Sequence, residues 1–146
     1  MDQLDRSILD ILKANGRASY AEMGDRVRLS ASAAKRRVDR LVEEGVIRSF
    51  TSDVDPVLEG MGTEAYVELF CRGTVSPNDL RRILSTVPEV VDAATITGEA
   101  DAIVHIRSHD VASLEQALES IRIATSVDHT RSAIVLTQLV RRTWSG

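Results

Sequence analysis

The sequence predicts an α+β protein built from two modules, a winged helix-turn-helix domain followed by a ferredoxin-like βαββαβ domain. Three observations carry this. Apolar residues recur at helical spacing through three short segments before Gly45. From Thr63 onward, period-two stretches alternate with helical ones in the order β-α-β-β-α-β. Between them, Leu58-Glu59-Gly60-Met61-Gly62 breaks both periodicities. The expected organisation is residues 1–52 as the helical domain, 53–62 as a linker, and 63–146 as the second domain.

The 146 residues are 43% hydrophobic, enough for one ordinary domain or two small ones. No apolar run approaches the roughly 18 residues of a membrane span, and the first residues are acidic where a signal peptide is basic, so no membrane association and a cytoplasmic location are expected. Cys71 lies in an alternating apolar segment and is expected to be a buried thiol. The net charge of −4 argues against a nucleic-acid partner, but its distribution does not. Residues 1–52 hold ten basic and eight acidic side chains, a net +2, which leaves −6 on the remainder.

In the first segment Leu4, Ile8, Ile11 and Leu12 form an apolar stripe, with Asp5, Asp10 and Lys13 facing away and Gly16 as the expected C-cap. Ser19-Tyr20-Ala21-Glu22 is a capping box that opens a second helix reaching about Val27. Ser30 caps a third, in which Ala34, Val38 and Leu41 share one side and Ser32, Lys35, Arg36, Asp39 and Glu43 the other. The cations of this helix lie in its first two turns, where the macrodipole disfavours them. An external polyanion is the natural reason for such a placement. Gly24 and Ala21, being small, let the third helix approach the second. Three helices with a short last turn predict a tri-helical DNA reader whose third helix enters the major groove. The alternative is a plain three-helix bundle with a solvated charged face.

Beyond Gly45, residues 46–56 read as a strand closed by Pro56, either a wing or a connector. In the second domain, Thr63 to Arg72 alternates Ala65, Val67, Leu69 and Cys71 against Glu64, Tyr66, Glu68 and Phe70. Ser76 and Pro77 open a helix to about Thr86. Val90 to Thr97 and Asp101 to Ser108 are the strands of a hairpin turning at Gly98-Glu99-Ala100. Asp110 to Ile123 is a helix with Val111, Leu114, Leu118 and Ile121 at core spacing, and Arg131 to Arg142 is the last strand. Both helices cover one face of the sheet; the other face needs cover that self-association would supply.

Leu4-Asp5-Arg6-Ser7-Ile8-Leu9, Asn15-Gly16-Arg17-Ala18-Ser19, Leu29-Ser30 through Leu41, Glu44-Gly45-Val46-Ile47 and Gly98-Glu99-Ala100-Asp101 together resemble the Lrp/AsnC (feast/famine) transcriptional regulators over nearly the whole chain. The resemblance implies a C-terminal RAM, or AsnC-type, module that senses an amino acid or related metabolite. It also implies a homodimer made by pairing the two sheets and assembling into tetramers or octamers. Carried onto this chain, the effector residues are Gly98, Glu99, Ala100 and Asp101 in the turn, with Thr130, Arg131 and Ser132 at the start of the last strand. The chain departs from the family where Arg28 stands in place of a glycine before the third helix, and where Ala31 follows Ser30 in place of proline.

For double-stranded DNA, Ser32, Lys35 and Arg36 are the expected groove residues, because arginine can donate two hydrogen bonds to guanine. Arg17, Ser19 and Arg40 belong nearer the phosphates, the capping Ser30 is also counted among the DNA-binding residues, and Arg37 is expected in a structural salt bridge or a backbone contact. Glu99 and Asp101 suit an ammonium group, although Asp101 can equally stabilise its own turn. His105, His109 and His129 have no metal-ligand spacing, and no catalytic constellation or cofactor motif is visible. Trp144 near the end is a candidate assembly contact. Two other readings share the architecture, a haem-pathway decarboxylase-like enzyme and a metabolite-sensing module that binds no DNA.

Overall fold

A computed structural model describes residues 1–140, which form two compact units, one comprising Met1–Asp53 with Val140 and the other Val54–Leu139. Trp144 and the end of the expected last strand at Arg142 lie outside the described residues.

The first unit holds α1 (Gln3–Ala14), α2 (Tyr20–Val27) and α3 (Ala31–Glu43). Each starts on a side-chain cap. Asp2 and Asp5 exchange carboxylate and backbone N–H at the head of α1, with N···O distances of 2.9 and 2.8 Å. Ser19 and Glu22 do the same for α2, and the Ser30 hydroxyl accepts the Ala33 N–H at 3.2 Å. The core is Ile8, Ile11, Met23, Ala34 and Val38, with Leu41 also buried. Full burial of each larger side chain contributes about 1.5–3 kcal/mol.

Several expectations change here. Asp5 does not face away from the core; it is fully buried, because two arginines of α3 compensate its charge. The C-cap of α1 is Asn15, not Gly16. Ala21 lies exposed, so Gly24 alone provides the close approach: a Cβ there would fall 2.5 Å from the Leu29 carbonyl oxygen. Residues 46–56 form no strand. Ile47 N–H bonds back to Leu41 O, and no neighbouring strand offers the segment a ladder.

The second unit is β1 (Thr63–Cys71), α4 (Pro77–Leu84), β2 (Val90–Thr95), β3 (Ala102–Ser108), α5 (Val111–Arg122) and β4 (Val127–Ile134). They form an antiparallel sheet in the order β2-β3-β1-β4, the arrangement expected of a ferredoxin-like βαββαβ chain. Ala65, Val67 and Leu69 of β1 and Ala102, Val104 and Ile106 of β3 meet Leu80, Leu84, Leu114, Ala117, Leu118 and Ile121 of the helices. Val111, expected in this core, is 60% exposed, while Ala117, which was not expected there, is buried.

The last strand starts at Val127, four residues earlier than expected, and ends at Ile134. Its polar residues conceal it in the sequence; pairing with β1 defines it. Thr130, Arg131 and Ser132 are therefore mid-strand. Residues 55–61, inside the expected linker, close into a turn in which Met61 N–H bonds to Pro56 O at 2.7 Å. His109 Nδ1 donates to the Gly60 carbonyl at 3.0 Å, which ties that turn to the end of β3.

Candidate DNA-reading helix and effector turn

The helix-turn-helix geometry rests on residues 28–30. Arg28 ends α2 in the left-handed conformation, φ 58° and ψ 45°, and the Leu29 N–H bonds to Gly24 O at 2.8 Å. An arginine thus adopts the conformation that glycine takes most cheaply. Ser30 then caps α3, so that the chain reverses within three residues.

Ser32, Lys35 and Arg36 are all exposed on α3. The Lys35 ammonium pairs with Asp39 one turn on, at 2.5 Å, and this neighbour raises its pKa. Arg36 makes no ion pair with a described residue. Arg17, in the loop before α2, and the capping residues Ser19 and Ser30 are also exposed. The two serine oxygens accept capping N–H groups, and the Ser30 and Ser32 hydroxyls share a hydrogen bond at 3.1 Å.

Arg37 and Arg40 have another task. Arg37 Nη1 donates to Asp2 and to Asp5, each at 2.7 Å, which is the structural salt bridge the sequence suggested. Arg40 Nη2 donates to both Asp5 oxygens at 2.9 and 2.8 Å, so the guanidinium expected at phosphate instead holds α3 to α1. Burial pushes the Asp5 carboxyl up, but the Asp2 N–H and the two arginines outweigh it and hold the pKa below the ordinary 3.8. Asp2 is lowered to about 2, chiefly by the Asp5 N–H and then by Arg37. Sequence reasoning missed this cluster. Its only local trace is that Asp5 stands three residues before Ile8, on the same helix face.

In the second unit the turn and β4 lie on either side of β1. Asp101 N–H bonds to Leu69 O at 2.9 Å, its carboxylate accepts the Cys71 N–H at 2.7 Å, and Leu69 faces Thr130 across the next ladder. Ala100 is buried and Glu99 exposed, while Gly98 has φ 120°. Asp101 is thus occupied in fixing its turn. The β4 residues diverge. The Thr130 hydroxyl accepts from Arg122 of α5 at 2.8 Å, whereas Arg131 pairs with Glu68 and lies over the Phe70 ring at 5.6 Å on the open face. Glu68 raises the Arg131 pKa most, and Glu99 adds to it, so turn and strand share one electrostatic environment. Burial, reinforced by Asp101, pushes up the pKa of the half-buried Cys71 thiol, which keeps it protonated and poorly nucleophilic.

The open sheet face carries Tyr66 stacked on His105 at 4.7 Å and Phe70 stacked on His129 at 4.3 Å. His105 Nε2 donates to Glu64 at 2.5 Å. Among the described residues no group of three or more His, Cys, Asp or Glu side chains could hold a metal, and no helix is long and apolar enough to cross a membrane.

A capped helix-turn-helix followed by a separate antiparallel α+β module defines a DNA-binding regulator that carries a sensing domain. Comparison with known proteins agrees. Residues 1–48 match the winged helix-turn-helix DNA-binding family, and residues 64–145 match the Lrp/AsnC ligand binding domain. The chain belongs to the Lrp/AsnC family of helix-turn-helix transcriptional regulators. It is 49% identical over 142 residues to the HTH-type transcriptional regulator Rv2324 of Mycobacterium tuberculosis, covering 97% of this chain and 96% of that protein. The solved leucine response regulatory protein LrpA of the same organism superposes with a TM-score of 0.87 at 30% identity, covering 97% of this chain and 96% of that one. The transcriptional regulator NMB0573 of Neisseria meningitidis, solved as its complex with L-methionine, gives 0.83 at 26% identity over 98% of this chain and 94% of its own.

Proposed function

We propose that the exposed face of α3 reads double-stranded DNA through Ser32, Lys35 and Arg36, with Arg17, Ser19 and Ser30 on the phosphates, and that an amino acid or related small metabolite bound near the hairpin turn alters DNA binding or assembly. The observation that carries the first part is the exposed Arg36, which has no ion pair with a described residue and sits one turn inside a helix capped at Ser30. Its guanidinium is available to a guanine edge, as a groove residue must be. Arg40 is left out of this set because its Nη2 donates to Asp5.

For the effector, Glu99 takes the ammonium group and the carboxylate is met by the Gly98 amide, with Thr130 bordering the site from the helix-covered side of β4 and Arg131 from the open side, next to Ser132. Ala100 and Asp101 shape the turn. The L-methionine complex of NMB0573 supports an amino acid as the ligand class. No other cofactor is required, and the chain acts as a regulator rather than an enzyme. A second copy covers the open face that bears Tyr66 and Phe70 to give a homodimer, which assembles further into a tetramer or octamer in the cytoplasm.

Selection of random duplex DNA with the full chain, followed by titration of single amino acids into the resulting complex, tests this reading. The expected result is a common sequence in the selected pool, and one or a few amino acids that change its affinity or the size of the bound particle. Failure to enrich any sequence, or indifference to every amino acid, contradicts the corresponding half.

A further inference from the structure

The proposed reading leaves the fully buried Asp5 unexplained as to function. Its carboxylate receives Arg37 at 2.7 Å and Arg40 at 2.9 and 2.8 Å, and Asp2 takes the same Nη1 of Arg37 at 2.7 Å. Two of the four cations of α3 are thereby paired with α1, and Lys35 is tempered by Asp39. Arg36 is then the one cation of α3 with no ion pair to a described residue, so α3 itself offers little charge for sequence-independent attraction beyond what Arg17 and the other exposed arginines of the unit supply. Phosphate contacts supply essentially all non-specific affinity, whereas base contacts supply discrimination.

We infer that Asp5 is a positioning residue that sets sequence specificity, acting as an internal counter-anion that keeps Arg37 and Arg40 off the DNA phosphates. The inference rests on α3 being the DNA-reading helix. Its chemistry is simple competition. The buried carboxylate offers fixed, charge-assisted hydrogen bonds, so phosphate gains these guanidinium groups only if Asp5 releases them. Arg40, with 47% of its side chain exposed, is already at the surface, where beyond Asp5 only the looser Glu44 pair at 3.7 Å restrains it. Arg37, at 23%, is held by both acids. The same two carboxylates cap α1, so the cap and the charge sink are one unit.

The test measures binding of the full chain, across salt, to a duplex selected by the wild type and to a random-sequence duplex of equal length. For Asp5→Asn, affinity for the random duplex should rise several-fold at low salt. The slope of log affinity against log salt should steepen by about 1.8 per chain, the release of two phosphate-contacting cations at about 0.9 each. The ratio of selected to random affinity should fall. A folded Asp5→Asn whose slope is unchanged or shallower overturns the inference, because a merely structural role lowers affinity without adding phosphate contacts. If circular dichroism shows that Asp5→Asn does not fold, Arg40→Gln decides: a wild-type slope supports the inference, and a slope shallower by about 0.9 per chain overturns it by placing Arg40 on phosphate. A wild type that binds neither duplex in a salt-dependent way defeats the proposed DNA-reading function itself.

Discussion

Asp101 and Cys71, thirty residues apart, are joined by a 2.7 Å hydrogen bond from the Cys71 backbone N–H to the Asp101 carboxylate, and the Asp101 N–H returns a bond to Leu69 O at 2.9 Å. The hairpin turn is therefore fixed to the end of β1 at the point where β1 also pairs with β4. Replacing Asp101 with alanine removes a charge-assisted bond at an exposed site and should cost about 1.5 kcal/mol. Urea unfolding followed by circular dichroism measures this. Because the turn also carries Glu99, amino-acid binding by calorimetry should weaken in the same variant; wild-type stability would show that the bond is dispensable.

Gly24→Ala places a methyl carbon 2.5 Å from Leu29 O and 3.2 Å from the Ser30 carbonyl carbon, against backbone that has no rotamer to yield. The expected loss is about 1–3 kcal/mol, with a displaced α3 and weakened DNA binding. Thermal unfolding and a gel shift on the selected duplex measure the two effects together. An alanine variant with undiminished stability would mean that the helices part without cost.

Arg28 is the one described non-glycine residue with positive φ. The left-handed conformation costs a side-chain-bearing residue more than it costs glycine, partly offset by glycine's greater freedom in the unfolded chain. Arg28→Gly should stabilise the protein by up to about 1 kcal/mol, and Arg28→Val should destabilise it. Chemical denaturation of the two variants side by side checks the order, which would be reversed if the arginine side chain itself secured the turn.

Acid should weaken the head of α1 only at low pH. Asp2 and Asp5 have folded pKa values below the ordinary 3.8, with Asp2 at about 2. A depressed carboxylate contributes stability that is fully present above its unfolded value and lost as pH falls through the folded one. Stability should therefore be level above about pH 5 and decline between about pH 4 and 2. In Asp2→Asn this decline should be shallower. Thermal midpoints from pH 2 to 7 give the comparison; identical acid limbs would remove Asp2 from the account.

The sequence made legible those features fixed by local chemistry. Ser19 with Glu22, and Ser30, announced their helices because a capping hydroxyl is needed within three residues of the amides it serves. The two faces of β1 followed from strict alternation. Features decided by distant partners stayed hidden. Asp5 looked like a solvent-facing acid because Arg37 and Arg40 are more than thirty residues away. Val127 to Thr130 looked too polar for a strand, since only the ladder with β1 makes it one. Residues 46–56 had strand-like composition but no neighbour to pair with. Of the candidate DNA residues, Arg17, Ser19, Ser30, Ser32, Lys35 and Arg36 lie exposed, whereas the bonds from Arg40 to Asp5 were not foreseen. The effector set was carried by resemblance, so it did not anticipate that Thr130 and Arg131 face opposite sides of the sheet.

The central claim, that α3 reads base sequence through an unneutralised arginine, is tested most directly by repeating the duplex selection with Arg36→Ala. Removing one bidentate base contact should cost about 1–3 kcal/mol against the preferred duplex and relax the preference at the positions it reads, while affinity for random DNA changes far less. Selection of the same sequence with undiminished discrimination would contradict the account.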